Sequence, residues 1–335
     1  MRRLGFFLLL LLLFSGLVES QQSQPSPAPS AQAPASSPDH PEQASSSPSI
    51  IEPKPESQSP KPDLTPDANG ALSQEQMQQL FRVVADKDIE NDKRQRDYTY
   101  TEQEVQHNLD GKGKVKSTET KTYEIMEVYG EQIQRLIEKD GKSLSEKDAA
   151  KEEAKIQKAI DKRKNESEGD RRKREQKQEK DREEGRKFVR EVAEAYNCKL
   201  VGTESVGGRE VWVIDGEPRP GFVPHMKEGK FLSKFHGRVW VDKSDLQLAK
   251  MDVECLDTVT WGLFLARFHK GSRFTLEQTR VNEEVWLPRQ LAAKIDVRLA
   301  LLKNFNVDLE QSFRDYKKFR TSARVVGVGE VQPQK

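Results

Sequence analysis

The chain has 335 residues, 33% of them charged, and a formal net charge of +1. Because its 56 basic residues nearly balance its 55 acidic residues, the chain has no global attraction to nucleic acid or to an anionic membrane. We therefore expect no nucleic-acid partner.

The N-terminal residues 1–20 are typical of a secretory signal peptide. Arg2 and Arg3 precede an apolar run from Leu4 to Val18, and small residues lead to a cleavage site before Gln21. The run has about 15 residues, fewer than the roughly 20 that a membrane-spanning helix needs. The sequence thus predicts an exported protein, periplasmic or secreted, that is soluble after cleavage.

Residues 21–70 consist mainly of Pro, Ser, Ala and Gln, and Ile50, Ile51 and Leu64 are their only sizeable apolar residues. Such a segment cannot bury enough surface to offset the entropy of ordering it. It is predicted to be a disordered spacer, which either holds a folded module away from a surface or serves only as a solubilising leader.

The first predicted helix begins at Ser73, with Gln76 as its capping-box partner. Its apolar residues then recur at helical spacing: Met77, Leu80, Phe81 and Val84. We expect one amphipathic helix that ends near the charged stretch 86–96.

Three strand-like segments follow the helix and predict an antiparallel meander. They cover residues 98–108, residues 114–128 and a third run through Ile133 and Ile137, with turns at 110–113 and 140–142.

Residues 145–197 change to a helical period and form a long charged insertion. Residues 163–187 have essentially no apolar side chain but mix acidic and basic residues three and four apart. The insertion is either a solvated part of the fold or an arm that reaches a partner, and mixed-sign charge runs favour the first interpretation. Gly169 and Gly185 make it a candidate for a hinge or a frayed stretch.

From Cys198 onward the sequence predicts a second meander. Strands at 198–206 and 209–215 flank the turn Gly207–Gly208, which is a strong hairpin signal. Further strands are predicted at 237–241, 246–255, 261–269, 272–281, 284–300 and 304–316. Short turns between them imply a curved, up-and-down antiparallel sheet, with a flexible tail at 321–335.

The last two strands alternate so that only one side is apolar. The apolar side carries Leu291, Ala293, Ile295, Val297, Leu299, Phe305, Val307 and Leu309. A sheet with one apolar face must cover it with its own helices or with an apolar ligand.

Cys198 and Cys255 are the only cysteines. Export to an oxidising compartment allows a disulfide between them, and two separately buried thiols are an equal alternative.

No arrangement of residues predicts catalysis. The chain has no nucleophile elbow, zinc-binding helix motif, phosphate-cradling glycine loop or closely spaced cysteine pair. His225, His236 and His269 are widely separated and have unrelated neighbours. We expect no enzyme activity, cofactor or metal ion.

Two segments are distinctive: residues 135–145, followed by a Lys/Glu helix, and residues 265–274, which lead to 281–288. They resemble a group of exported bacterial proteins labelled outer-membrane lipoprotein-sorting-like. Their order of elements is similar to the LolA-like superfamily. The resemblance implies an α+β fold over residues 71–320, namely an incomplete antiparallel β-barrel whose concave apolar side is covered by helices. Members of that superfamily include periplasmic lipoprotein carriers and stress sensors that bind misplaced lipoprotein or envelope material.

We therefore expect a monomeric, non-enzymatic binding protein of the periplasm that holds a lipid or a lipoprotein acyl chain in an apolar half-barrel. The candidate contacts, each of which would serve equally well as plain core, are Leu80 and Phe81 as a lid, with Ile295, Val297, Leu299, Phe305 and Val307 on the sheet. The alternative is a structural or regulatory protein that binds an envelope protein through the charged helices.

Overall fold

A computed structural model describes residues 64–65, 67–68, 72–129, 131–261, 266–299 and 303–319. The predicted signal peptide at 1–20, nearly all of the predicted spacer at 21–70 and the predicted tail at 321–335 lie outside these residues. Only the backbone is described at positions 131, 228, 260, 261, 266, 267, 297–299 and 303–305.

The described part contains three α-helices, one 3-10 helix and thirteen strands. The helices are α1 (Gln74–Gln95), α2 (Glu146–Lys164), α3 (Glu168–Ala195) and the 3-10 helix Glu228–Lys234. The strands are β1 (Tyr98–Leu109), β2 (Val115–Val128), β3 (Glu131–Lys139), β4 (Lys142–Ser143), β5 (Tyr196–Val206), β6 (Arg209–Pro218), β7 (Phe235–Asp242), β8 (Leu248–Cys255), β9 (Val259–Trp261), β10 (Ala266–Phe268), β11 (Arg273–Val281), β12 (Val285–Leu299) and β13 (Lys303–Lys318).

All the described strands belong to one antiparallel sheet. Its main path runs β4-β3-β2-β1-β13-β12-β11-β8-β7-β6-β5, and β9 and β10 form a side branch that joins β12. Within the described residues the path has two ends, β4 and β5, so the sheet is not closed into a barrel. The predicted α+β class with an incomplete antiparallel barrel is confirmed.

The two predicted meanders meet through the first and last strands. β1 pairs with β13 from Tyr98 opposite Lys318 to Asn108 opposite Val307. Within each meander consecutive strands are neighbours, apart from the β9–β10 branch between β8 and β11, so the up-and-down order predicted for the second meander is present. The strand expected at 261–269 is instead two short strands, β9 and β10, which lie beside the end of β12.

The start of α1 matches its sequence signals. The Ser73 hydroxyl accepts a hydrogen bond from the Gln76 amide (3.2 Å), and the Ser73 amide donates to the Gln76 side chain (2.9 Å). This is the predicted capping box, which satisfies two amides at the helix start. The helix continues through the charged stretch and ends at Gln95.

The charged insertion forms two helices that meet at residues 165–167. Ser145 and Ser167 each cap one helix, because each hydroxyl accepts a hydrogen bond from the amide three residues later. Neither glycine makes a break: Gly169 lies in the first turn of α3, and Gly185 is buried within that helix. The break falls at the second serine cap instead.

The insertion also connects the two ends of the sheet. The chain leaves edge strand β4, passes through α2 and α3, and returns as the opposite edge strand β5. We call residues 146–195 the strap. Its second helix has 28 residues and is about 42 Å long.

Cys198 and Cys255 are free, buried thiols in separate apolar clusters. Of the two alternatives left open by the sequence, the structure has the unbonded one. Burial raises the pKa of the Cys198 thiol to about 12, which keeps it protonated and unreactive at neutral pH.

Candidate functional site

One face of the sheet carries the largest apolar cluster, and β12 and β13 lie at its centre. Ala293 stands opposite Leu309, and Ile295 stands opposite Val307. Directly opposed residues of antiparallel strands project from the same face, so these four side chains form one patch. Lys294 projects from the other face and is exposed. The one-sided alternation predicted for these strands is present.

We call this cluster the apolar floor. Its buried members are Tyr100, Ile125, Phe235, Cys255, Val259, Phe268, Phe274, Leu291, Ala293, Ile295, Leu309 and Phe313. Partly buried residues that pack against it are Tyr123, Phe231, Val253, Val307 and Tyr316. Strands supply all of these residues except Phe231, which lies in the 3-10 helix. None of the described residues in the floor comes from α1, α2 or α3.

A polar border adjoins the floor on strand β1. The Gln311 side-chain amide donates to Glu102 and to Glu104, each at 3.0 Å. Glu102 stands opposite both Phe313 and Tyr123, so its carboxylate lies on the same face as the floor although it is only 5% exposed. Burial, together with the charges of Glu104 and Glu102, raises the pKa of the Tyr123 phenol. Tyr123 therefore remains a protonated hydrogen-bond donor, and the border disfavours anions.

Helix α1 lies on a different part of the sheet from the one that its predicted lid role requires. Leu80 is fully buried in a second cluster with Met77, Ile214 and Val241, and Phe81 packs against the same cluster. The structure thus places Leu80 and Phe81 over β5 to β7, apart from the candidates on β12 and β13.

Polar contacts at both ends hold α1 in this position. Near its start, the Gln74 side chain donates to the carbonyl of Cys198 in β5 (3.0 Å). Near its end, the side chain of Asn91 accepts from the Trp286 amide (2.8 Å) and donates to the Trp286 carbonyl (2.7 Å). Asn91 thereby pairs with the start of β12 as a neighbouring strand would.

The floor and the helices share one side of the sheet. On β7, Phe235 belongs to the floor and Val241 belongs to the cluster under α1. The two positions are six residues apart in a strand that pairs regularly with β6, so their side chains project from the same face. Helix α3 packs against α1 and against the 3-10 helix, which places the C-terminal part of the strap on the floor side.

The first helix of the strap is attached to the N-terminal meander. The Glu152 carboxylate accepts a hydrogen bond from the Leu136 amide of β3 (3.2 Å), and Ile156, one turn further along α2, is 2% exposed. The Glu152 charge also contributes to the raised pKa of Tyr123, so the carboxylate lies within electrostatic range of the phenol.

The second helix of the strap is fastened to the loop between β6 and β7. Glu191 is 4% exposed, and its carboxylate accepts hydrogen bonds from the amides of His225 and Met226 (3.0 Å for Met226). A Cβ atom added to Gly229 would lie 2.8 Å from that carboxylate. A larger residue at this position would therefore force the Glu191 carboxylate to move.

The turn of the strap is closed by a charged group. Arg174 donates to both carboxylate oxygens of Glu166 (2.8–3.1 Å), and Arg163 donates to one of them (3.1 Å). The hydrogen bond from Arg174 is the main reason that the Glu166 pKa lies below its usual value. The three side chains are largely buried.

Of the residues predicted on the sheet, Ile295 is a buried member of the floor and Val307 is a partly buried neighbour. Val297 stands opposite Phe305, and Leu299 lies at the end of β12. The side chains of Val297, Leu299 and Phe305 lie outside the described part. Sequence reasoning missed the Glu102–Gln311 border, because its members are 209 residues apart.

The histidines do not converge in the part of the chain that the structure describes. His236 lies 3.7 Å from both Glu217 and Glu254, and no described group of three or more His, Cys, Asp or Glu residues has the arrangement of a metal site. None of the described helices is both long enough and apolar enough to cross a membrane.

Comparison with known proteins finds similarity among solved structures alone, since no family and no curated protein matches the chain. A domain from Vibrio parahaemolyticus named for outer membrane lipoprotein sorting has 12% identity and a TM-score of 0.31, over 73% of this chain and 95% of that one. A LolA superfamily protein from Nitrosomonas europaea has 8% identity and a TM-score of 0.27, over 67% and 86%. A DUF1329 family protein from Desulfovibrio piger has 13% identity and a TM-score of 0.28, over 72% and 92%. At such identities and TM-scores these similarities carry no argument about what this chain is or binds.

Proposed function

We propose that this chain is a non-enzymatic binding protein that holds an acyl chain, from a lipid or from an acylated protein, against the apolar floor beneath the strap. The observation that carries the proposal is the composition of the floor. Its described residues come from strands and from the 3-10 helix. Helix α1 packs on a separate cluster and at the start of β12, α2 packs on β3, and α3 packs on α1 and the 3-10 helix. A ligand between strap and floor would contact these side chains directly, because no described residue of α1, α2 or α3 belongs to the cluster.

Burial alone provides enough free energy for such a ligand. Each CH2 group transferred from water contributes about 0.8 kcal/mol, so a chain of ordinary length needs few polar contacts. The polar border determines the orientation of the bound acyl chain, because Glu102 and Glu104 repel an anionic head group. An acyl chain would therefore lie with its terminal methyl towards β1 and its head away from that strand.

The predicted signal peptide and spacer extend this proposal to location. We propose that the chain is exported and that the protein works as a monomer. Residues 21–70 would then be a spacer that precedes the binding domain at 71–320. Partner capture by the charged helices is the less favoured alternative, because contacts at Glu152 and Glu191 tie the strap to the sheet. A free arm would not need these contacts.

Two adjacent substitutions on opposite faces of β13 test the proposal. Val307→Asp places a charge beside the floor, whereas Asn306→Asp places one on the other face. We expect Val307→Asp to weaken the binding of a fluorescent fatty acid by at least about tenfold, because burying a charge is unfavourable. Asn306→Asp should bind as the wild type does.

Circular dichroism verifies that both variants are folded, and native mass spectrometry counts the bound fatty acids and phospholipids. Failure of the wild-type protein to take up any acyl ligand would overturn the proposal. Equal binding by the two variants would overturn the placement of the ligand on the floor.

A further inference from the structure

The central part of α3 turns an unusual stripe towards the protein. Gln178 and Gly185 are buried one heptad apart, and Arg174 and Arg182 beside them are partly buried. Nearer the C terminus, the buried residues of the same helix include apolar side chains such as Phe188, which packs with Leu232. The middle of the strap therefore buries an amide and a glycine where an apolar contact with the sheet would require large apolar side chains.

The amide of Gln178 has an unsatisfied hydrogen-bonding atom. The residue is only 9% exposed, and its Nε2 atom is buried with no hydrogen-bond partner among the residues that the structure describes. The other buried polar groups of the strap are satisfied: Glu191 binds the loop amides, and Glu166 binds Arg174. A buried donor without an acceptor is unfavourable, so an acceptor that a ligand brought to this position would be stabilising.

Gln178 also stands apart from the points at which the strap is fastened. It lies 13 positions before Glu191, which is about 20 Å along the helix. It also lies C-terminal to the ion pair between Glu166 and Arg174 that closes the turn of the strap, which we call the clasp. The amide therefore lies between the two points at which the strap is held, the clasp and Glu191.

We infer that Gln178 binds the polar end of the ligand, by donating a hydrogen bond from Nε2 to the carbonyl oxygen of an ester-linked or amide-linked acyl chain. The inference rests on the proposed function and narrows its ligand to acyl derivatives that have a neutral carbonyl group. A carboxamide N–H and a carbonyl oxygen are complementary, and such a bond needs no charge on either partner. The floor would then take the hydrocarbon and the strap would take the carbonyl.

The test compares Gln178→Leu with Gln176→Leu, an equal change at an exposed position of the same helix. Each variant and the wild-type protein are titrated with a long-chain fatty acid methyl ester and with the alkane of equal length. We expect Gln178→Leu to bind the ester about tenfold more weakly and the alkane as well as the wild type does. Because the unsatisfied donor is gone, its ligand-free melting temperature should also rise by about 2–4 °C.

Gln176→Leu should change neither affinity. If the wild-type protein binds the ester and Gln178→Leu binds it equally well, the inference is overturned and the proposed function stands. If the wild-type protein binds neither ester nor alkane, the proposed function itself fails and the inference with it.

Discussion

At the scale of single residues, the fold depends on buried polar groups that join distant parts of the chain. Glu191 links the strap to the loop before β7, Asn91 links α1 to β12, and Gln311 links β13 to β1. Each of these groups meets a partner that the sheet or a loop positions for it. A substitution that leaves one partner buried and unpaired is therefore more disruptive than its size suggests.

The contact between Gly229 and Glu191 gives the first prediction. Gly229→Ala places a methyl group within 2.8 Å of the Glu191 carboxylate, so the loop or the helix must move. We expect a loss of about 1–3 kcal/mol in the free energy of unfolding, measured with urea.

Gly169→Ala is the matched control on the strap. Its nearest neighbour would be the Ser167 hydroxyl at 3.9 Å, and alanine favours a helix, so this change should be neutral or stabilising by up to about 1 kcal/mol. If the Gly229→Ala variant is as stable as this control, the Glu191 carboxylate does not need the space beside Gly229.

Asp242 gives a prediction about how the stability of the fold depends on pH. Asp242 is fully buried, and burial raises the pKa of its carboxyl group. Two hydrogen bonds from Arg209 (2.7 and 2.9 Å) and hydrogen bonds from the Asp245 and Ser244 amides lower this pKa by more than burial raises it. The folded pKa thus lies below the ordinary value of 3.8. The stability that this group contributes is present above about pH 4 and is lost as the pH falls towards the folded pKa.

Asp242→Asn should lower the free energy of unfolding by about 2–4 kcal/mol at pH 7, because the buried carboxylate that accepts two hydrogen bonds from Arg209 loses its charge. It should also flatten the fall in stability below about pH 4. Urea titrations across this range check both effects. The exposed Glu310→Gln should retain the wild-type dependence, and an unchanged slope in Asp242→Asn would contradict the assignment.

At the scale of elements, the strap holds its turn with one charged clasp. Glu166→Gln removes the charge that binds Arg174 and Arg163, while the helix cap at Ser167 remains. We expect amide hydrogen exchange in residues 160–175 to become faster by about tenfold or more, with β12 and β13 unchanged.

Glu168→Gln is the control for the clasp. Its carboxylate pairs with Arg172 on the surface, where both side chains are highly exposed, so exchange should change little. Similar exchange in the two variants would mean that the clasp does not hold the turn.

Most of the elements were predictable because their signals are local. A serine and a glutamine three residues apart fixed the start of α1, the Gly207–Gly208 pair fixed the β5–β6 hairpin, and the alternation along β12 identified its apolar face. Two features were not predictable. An apolar stripe shows that α1 is buried but not against which strands, and the border at Glu102 exists only because β1 pairs with β13 in a particular register.

At the scale of the whole molecule, the sheet depends on its last strand. β13 lies between β12 and β1, so it alone connects the N-terminal meander to the rest of the sheet along the main path. A chain that ends at residue 302 lacks this strand, whereas a chain that ends at residue 319 retains it.

We expect the chain ending at 302 to lose cooperative unfolding and to be digested rapidly by protease, because two strands become open edges and the floor loses Leu309 and Phe313. The chain ending at 319 should have near-wild-type melting and protease resistance. Cooperative unfolding of the shorter chain would show that the meander docks without β13.

The central position of the C-terminal strand also has a consequence for biogenesis. Until residue 318 has been synthesised, β1 has no partner on its β13 side, and the nascent chain cannot assemble its sheet. The strand that joins the two meanders is therefore synthesised last, and the sheet can be completed only after that strand has been made.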